Sequence, residues 1–354
     1  MDRMTYAEIN LTNLTDNVKK IVNKFDSYNY YFGVVKADCY GHGDIKTVQA
    51  IIDGGCNYLA VATLDEALFI RNHIKDIPIL LLGVVKATNI KDCIENNITI
   101  TLNSLILLNE LLEVNTDNLK IHIKINTGAA RLGFGNKEEL KIAVDNLKNT
   151  NIFIEGIFTH IYNADNKEDT NSQLKLFNEI TKDFDTESIP IRHIQASDAL
   201  YGYDKPSITN GCRLGIIMYG LLHEDDMDLK STFKVFSEII QIHHLNPDDN
   251  VGYEGIYHAK DNEIIAVVAI GYADGIIRKN TGRCVYINNK RYPIIGNICM
   301  DLLFVRIDED INVHDQVIIL KDNEHIKETA KHLESIPYEV ICSISKRVIR
   351  KYIN

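Results

Sequence analysis

Short runs of apolar, often β-branched residues alternate with segments of helical period through the first two thirds of the chain. The runs are Tyr30 to Ala37, Tyr58 to Thr63, Pro78 to Gly83, Ile98 to Leu102, Lys120 to Asn126, Ile152 to His160, His193 to Ser197 and Arg213 to Gly220. Between them Leu14, Val18, Ile21 and Val22 fall at i, i+4, i+7 and i+8, and Leu140, Val144 and Leu147 at i, i+4 and i+7, the spacing of one buried helix face. Eight buried strands, each followed by an amphipathic helix, predict a parallel (β/α)8 barrel of the TIM type rather than an open sheet.

Beyond about residue 230 the pattern changes. Ser237 to His243, Glu263 to Ile270, Cys284 to Ile287, Leu302 to Ile307 and Gln316 to Leu320 read as strands, with turn signals at Asn288-Asn289, Asp308-Glu309-Asp310 and Asp322-Asn323 and one clear helix near His325 to Leu333. The expected organisation is an α/β barrel over residues 1–230 and a mainly β domain over residues 231–354. No Pro/Ser-rich linker joins them, and no repeat is visible beyond the βα unit.

Composition narrows the function. The 354 residues are 45% hydrophobic, too apolar for a disordered chain, and the net charge of -11 opposes binding to nucleic acid. Seven cysteines stand singly with no CxxC pair, which argues against a disulfide framework or a zinc site and fits a reducing compartment. The N-terminus meets Asp2 and Glu8 before any long apolar stretch, so it is not a signal peptide, and no window approaches about eighteen apolar residues. A cytoplasmic protein with no membrane, nucleic-acid or metal partner is expected. The acidic stretch Glu224-Asp225-Asp226 reads as a solvated loop.

In a (β/α)8 barrel, reactive side chains belong at the C-terminal ends of the strands. That rule selects Lys36, Arg131, His160, Ser197 and Arg213. A lysine closing the apolar run Phe32, Val34, Val35 is desolvated, and desolvation lowers an amine's pKa as imine formation requires. A solvated strand end is the bland reading of Lys36, and a satisfied structural histidine that of His160. Around Arg213-Leu214-Gly215-Ile216 the backbone offers N–H groups beside a glycine, and Ser197 precedes a helix start, so both can bind a phosphate. A lysine, two arginines and a phosphate cradle in one barrel point to pyridoxal 5'-phosphate.

The segment Val34-Val35-Lys36-Ala37-Asp38-Cys39-Tyr40-Gly41-His42-Gly43 resembles the cofactor-attachment signature of the alanine racemases. Asn126 to Gly133, Thr159-His160, Cys212 to Ile216, Val251 to Gly255, Gly271 to Gly275 and Cys299-Met300-Asp301 continue the resemblance in order, over essentially the whole chain. It implies a pyridoxal-phosphate isomerase that interconverts L- and D-alanine by a two-base mechanism and supplies D-alanine for bacterial peptidoglycan. Lys36 would hold the cofactor covalently and act on one face of the substrate, and Tyr253 on the other. Tyr40, Ser197, the backbone of Gly215 and Ile216, and Tyr338 would hold the phosphate; Arg213 would face the pyridine nitrogen, with His160 beside the ring. Arg131 and the Met300 backbone would take the substrate carboxylate, and Tyr272 would narrow the entrance. Tyr253 and Met300 would come from a second copy, giving a homodimer with shared sites.

Two positions bear on detail. Asn126 and Ala129 stand where the family usually has Asp and Met, and the smaller Ala129 keeps open a serine or broad-specificity racemase. Lys124 matches a lysine that is carbamylated in some members. A barrel-type decarboxylase of basic amino acids is the other enzyme with this two-domain plan, but it places an acid where this chain has Arg213.

Overall fold

The computed structural model describes residues 4–222 and 227–354; the acidic stretch Glu224-Asp225-Asp226 lies outside them. The first strand, β1 (Tyr6–Asn10), is followed by a helix over Leu11–Lys24. Asn10 caps that helix by accepting from the Asn13 amide, and its stripe of Leu14, Val18 and Ile21 is buried. Eight strands then close a parallel barrel: β2 (Tyr30–Val34), β3 (Tyr58–Val61), β4 (Ile79–Leu81), β5 (Ile98–Leu102), β6 (Lys120–Lys124), β7 (Phe153–Phe158), β8 (Ile191–Ala196) and β9 (Gly211–Leu214). Strand β2 pairs with β3 on one side and β9 on the other, which closes the ring. The eight-stranded reading of the sequence is therefore correct; β5 ends where the apolar run ends, and the other seven strands stop short of theirs, β9 most of all, at Leu214 rather than Gly220.

A second sheet holds β10 (Phe233–Leu245), β11 (Glu263–Val268), β12 (Cys284–Ile287), β13 (Lys290–Ile295), β14 (Leu303–Ile307), β15 (Gln316–Leu320) and β16 (Ile349–Ile353). Its order is β11-β14-β13-β12-β15-β10-β1-β16, with β11 also pairing with β10. The N-terminal β1 thus joins this sheet, antiparallel to β10 and parallel to β16, although the sequence pattern assigned everything before residue 231 to the barrel. Strand pairing of that span leaves no trace in local periodicity. Helices at Asn323–Leu333 and Pro337–Cys342 complete this part; the second was not expected from sequence. The seven cysteines form no disulfide, and among the described residues no helix is long and apolar enough to cross a membrane.

Candidate active site

A cavity of about 450 Å³ opens at the C-terminal ends of the barrel strands. Lys36, Tyr40, Arg131, His160, Ser197, Arg213, Gly215, Ile216 and Tyr338 all line it. Lys36 lies two residues past β2 and is half-buried. Burial lowers the pKa of its amine, helped by the charges of Arg131 and Arg213 and opposed by Glu66.

The chain after Lys36 takes an unusual path. Ala37, Asp38, Cys39 and Tyr40 all have φ between 51° and 57°, one turn of left-handed helix built without glycine. For L-residues that hand costs roughly 1–2 kcal/mol per residue, so the surroundings must impose it. The Glu66 Oε1 accepts the Ala37 amide at 2.7 Å, while Oε2 accepts those of Ala62 and Thr63 at 2.8 and 3.1 Å. At the other end Arg350 Nε donates to the Gly41 carbonyl at 3.0 Å, and the Asp44 amide donates to the Tyr352 hydroxyl at 2.9 Å. Gly41 itself must be glycine: a Cβ there would stand 2.4 Å from the Ile341 carbonyl oxygen.

This turn delivers the Tyr40 hydroxyl to a cradle shared with β9. The Ser197 Oγ, at the start of the helix after β8, accepts from the Gly215 and Ile217 amides at 3.1 and 3.3 Å. A Cβ on Gly215 would sit 3.1 Å from the Tyr40 hydroxyl and 3.4 Å from Ser197 Oγ, so hydroxyls and amides converge where a side chain is excluded. The ring of Tyr338 lies 6.0 Å from that of Tyr40. Burial pushes the pKa of both phenols up, so they are neutral donors.

Arg213 is buried and fully engaged. Its NH2 donates to the carbonyls of Thr159 and Ile194 at 2.8 Å each and lies 3.2 Å from His160 Nδ1; NH1 lies 2.6 Å from His193 Nδ1. The guanidinium also stacks on the Phe158 ring, 5.4 Å from its centroid. Burial lowers its pKa to about 10, which still leaves it charged at neutral pH. His160 falls to about 3 through burial and the charges of Arg213 and Arg131, so it is a neutral imidazole and contributes no positive charge. Lys124, the last residue of β6, is drawn to about 8 by burial and by Arg131 and Arg213. Lys36, Lys124, Arg131 and Arg213 face one cavity against the carboxylates of Asp165 and Asp198. That balance and the cradle suit an anionic ligand with a phosphate, and a lysine of lowered pKa suits its aldehyde: the residues present fit pyridoxal phosphate.

The remaining expected residues stand apart. Tyr253, Met300 and Tyr272 belong to loops of the second sheet, are 70%, 53% and 42% exposed, and do not line the cavity. They are held together by backbone: Tyr272 and Ala273 donate to the carbonyls of Cys299 and Met300 at 3.0 and 2.9 Å, and Asn297 Nδ2 donates to the Tyr253 carbonyl at 3.0 Å. Three further residues that hold the site escaped the strand-end rule. Glu66 was available from the Thr63-x-x-Glu66 capping box, and Phe158 from its two-residue spacing to His160 along β7. Asp198, beside Ser197 in the cavity wall, carried no such signal.

Comparison with known proteins agrees with this architecture. The model of the alanine racemase N-terminal domain matches residues 9–223, and that of the C-terminal domain residues 232–352. An alanine racemase of Halalkalibacterium halodurans is 34% identical over 99% of this chain and 95% of its own length. Among solved structures, the alanine racemase from Bacillus anthracis with bound L-Ala-P superposes with a TM-score of 0.93 at 29% identity, covering 100% of this chain and 96% of that one. The alanine racemase of Clostridium difficile 630 gives 0.92 at 36% identity, with coverages of 100% and 96%. With both domains matched and a relative similar from end to end, the chain belongs to the alanine racemase family.

Proposed function

We propose that this alanine racemase works by a two-base mechanism on pyridoxal phosphate held at Lys36, in sites shared between two copies of the chain. The observation that carries the reading is one cavity joining a lysine of lowered pKa to a cradle of two hydroxyls and backbone amides, with a buried arginine between. When bound, the cofactor supplies an electron sink for the carbanion left when the substrate Cα loses its proton.

The residues divide the remaining work. Ser197, Tyr40, Tyr338 and the amides of Gly215 and Ile216 hold the phosphate. Arg131 takes the substrate carboxylate, with the Met300 backbone and Tyr272 at the entrance. Lys36 moves a proton on one face of Cα, and Tyr253 of a second copy on the other; proton exchange in both directions needs a group on each side. His160 packs beside the ring. Arg213 would face the pyridine nitrogen as a donor that keeps its protons, which would limit charge delocalisation into the ring and with it transamination. Residues 1–230 and 231–354 would then be the two functional units, with β1 shared. A cytoplasmic enzyme supplying D-alanine to peptidoglycan is the corresponding role.

Ala129 favours a second reading, a serine-accepting or broad-specificity racemase, because it lies beside Arg131 and Lys124 where a larger side chain would take up space. One experiment separates the two: the purified protein is offered a panel of L-amino acids and each D-enantiomer is followed. D-alanine alone supports the strict reading; D-serine at a comparable rate supports the broad one; no D-product overturns both.

A further inference from the structure

The interior of a (β/α)8 barrel is ordinarily filled by Val, Ile and Leu. Here a file of polar side chains runs from Arg213 through the barrel toward the N-terminal ends of the strands. Arg213 NH1 lies 2.6 Å from His193 Nδ1, and His193 Nε2 lies 2.9 Å from His122 Nδ1. His122 Nε2 is 3.4 Å from Glu155 Oε2, which also accepts from the Tyr58 and Thr99 hydroxyls at 2.6 and 2.8 Å. Both histidines are fully buried. Burying such groups is costly unless each is satisfied, so the file calls for an explanation beyond filling space.

Chemistry fixes the proton on every link. A guanidinium only donates, so His193 Nδ1 must carry a lone pair and its Nε2 the proton. That N–H donates to His122, whose Nδ1 must then accept and whose Nε2 must bear the hydrogen facing Glu155. At 3.4 Å this last link is not directed as a full hydrogen bond and works through charge: a carboxylate attracts an N–H there and repels a lone pair. Burial lowers the pKa of both imidazoles and keeps them neutral. Burial alone would raise Glu155, but the His122 N–H facing it and the Tyr58 and Thr99 hydroxyls that donate to it lower its pKa and keep it charged.

The barrel also fixes the rings. His193 is clasped between Phe32 and Phe158, with centroids at 4.5 and 4.6 Å and planes within 22° and 9°. Strand pairing shifts register at His122 and again after His193, and such irregularities re-aim side chains. Gly156, next to Glu155, leaves the space His122 occupies: a Cβ there would be 2.5 Å from its Cε1 and Nδ1.

We propose that Glu155 is a positioning residue for racemisation: acting through His122 and His193, it fixes the lone pair to which Arg213 donates and so holds the guanidinium aimed at the cofactor. This rests on the reading of Arg213 as the partner of the pyridine nitrogen. The test uses the holoenzyme labelled with 15N in histidine. In the wild type, two-bond 1H–15N correlations should show His122 and His193 as neutral Nε2–H tautomers; an Nδ1–H or doubly protonated His193 overturns the proposal, whatever the variants do.

In Glu155→Gln the amide can turn an N–H toward His122, so Nδ1–H signals should appear at His122 and, with Arg213 displaced from its contact, at His193. Its kcat should fall about 10–100-fold, the range seen when a carboxylate that orients a histidine is removed at metal sites, with KM for L-alanine nearly unchanged. Glu155→Asp, which keeps the charge, should recover the wild-type tautomers and part of kcat. A Glu155→Gln enzyme with wild-type tautomers, or with shifted tautomers and wild-type kcat, overturns the assignment. Failure of the underlying reading shows separately, as Arg213→Glu holoenzyme whose visible absorption is unchanged.

Discussion

The two halves of the site are built in opposite ways. Around the cavity three groups are fastened: Arg213 by carbonyls and imidazoles, Ser197 by two amides, Tyr40 by a left-handed turn tied at both ends. On the second sheet, Tyr253, Met300 and Tyr272 are anchored through their backbones, and their side chains are exposed. On the proposed two-copy reading, a single chain carries the cofactor side of one site and the Tyr253 side of another. Preorganisation is concentrated where charge must be held in a low dielectric.

The largest effect should come from Lys36→Ala. It should abolish borohydride-trappable cofactor and lower racemisation by at least about 10⁴-fold, the upper end for a positioned acid/base group; mass spectrometry of the reduced protein checks the first claim. Tyr253→Phe should cost about 10²–10⁴-fold while leaving the cofactor absorbance intact. These two inactive proteins also test the comparison directly. If sites are shared, subunit exchange between them forms one wild-type site per mixed dimer, and roughly a quarter of the activity should return. A mixture that stays inactive after verified exchange would break the two-copy reading.

Next comes pH. Burial lowers His160 and His42 to about 3 and also lowers His122 and His193 from the ordinary 6.5. The unfolded chain then binds more protons than the folded one, so stability is complete above about 6.5 and is lost as pH falls toward 3. His160 and His42 each contribute a slope of about 1.4 kcal/mol per pH unit in that window. The urea midpoint should therefore drop steeply between about pH 6.5 and 4. The smallest effect expected is that of Ser197→Ala, which leaves two buried amides without their acceptor and should weaken cofactor binding by about tenfold, read by equilibrium titration.

Much of the barrel was legible because its strands are continuous apolar runs bounded by helices of clear period. Strands β1 and β16 were not, since what makes them strands is a partner more than 200 residues away in sequence. The strand-end rule found Lys36, His160, Ser197 and Arg213 because a buried polar residue at such an end is conspicuous. The turn at Ala37 to Tyr40 was illegible: nothing in Ala-Asp-Cys-Tyr favours a left-handed path, and the forces that impose it come from Glu66, Arg350 and Tyr352. Tyr253 carried no signal of its own beyond the family resemblance, as an exposed tyrosine on a loop looks like any other.

That turn also ties the enzyme's readiness to the order in which it is made. The fastening of the cofactor loop by Arg350 and Tyr352 spans 310 residues between His42 and Tyr352. At about 5–20 residues per second the ribosome needs roughly 15–60 s to bridge that interval. Until then Lys36 has emerged without the clasp that shapes its neighbours. A nascent or prematurely terminated chain therefore presents the amine before the loop beside it is clasped, and on the proposed reading commitment to the cofactor would wait for the last strand to be translated.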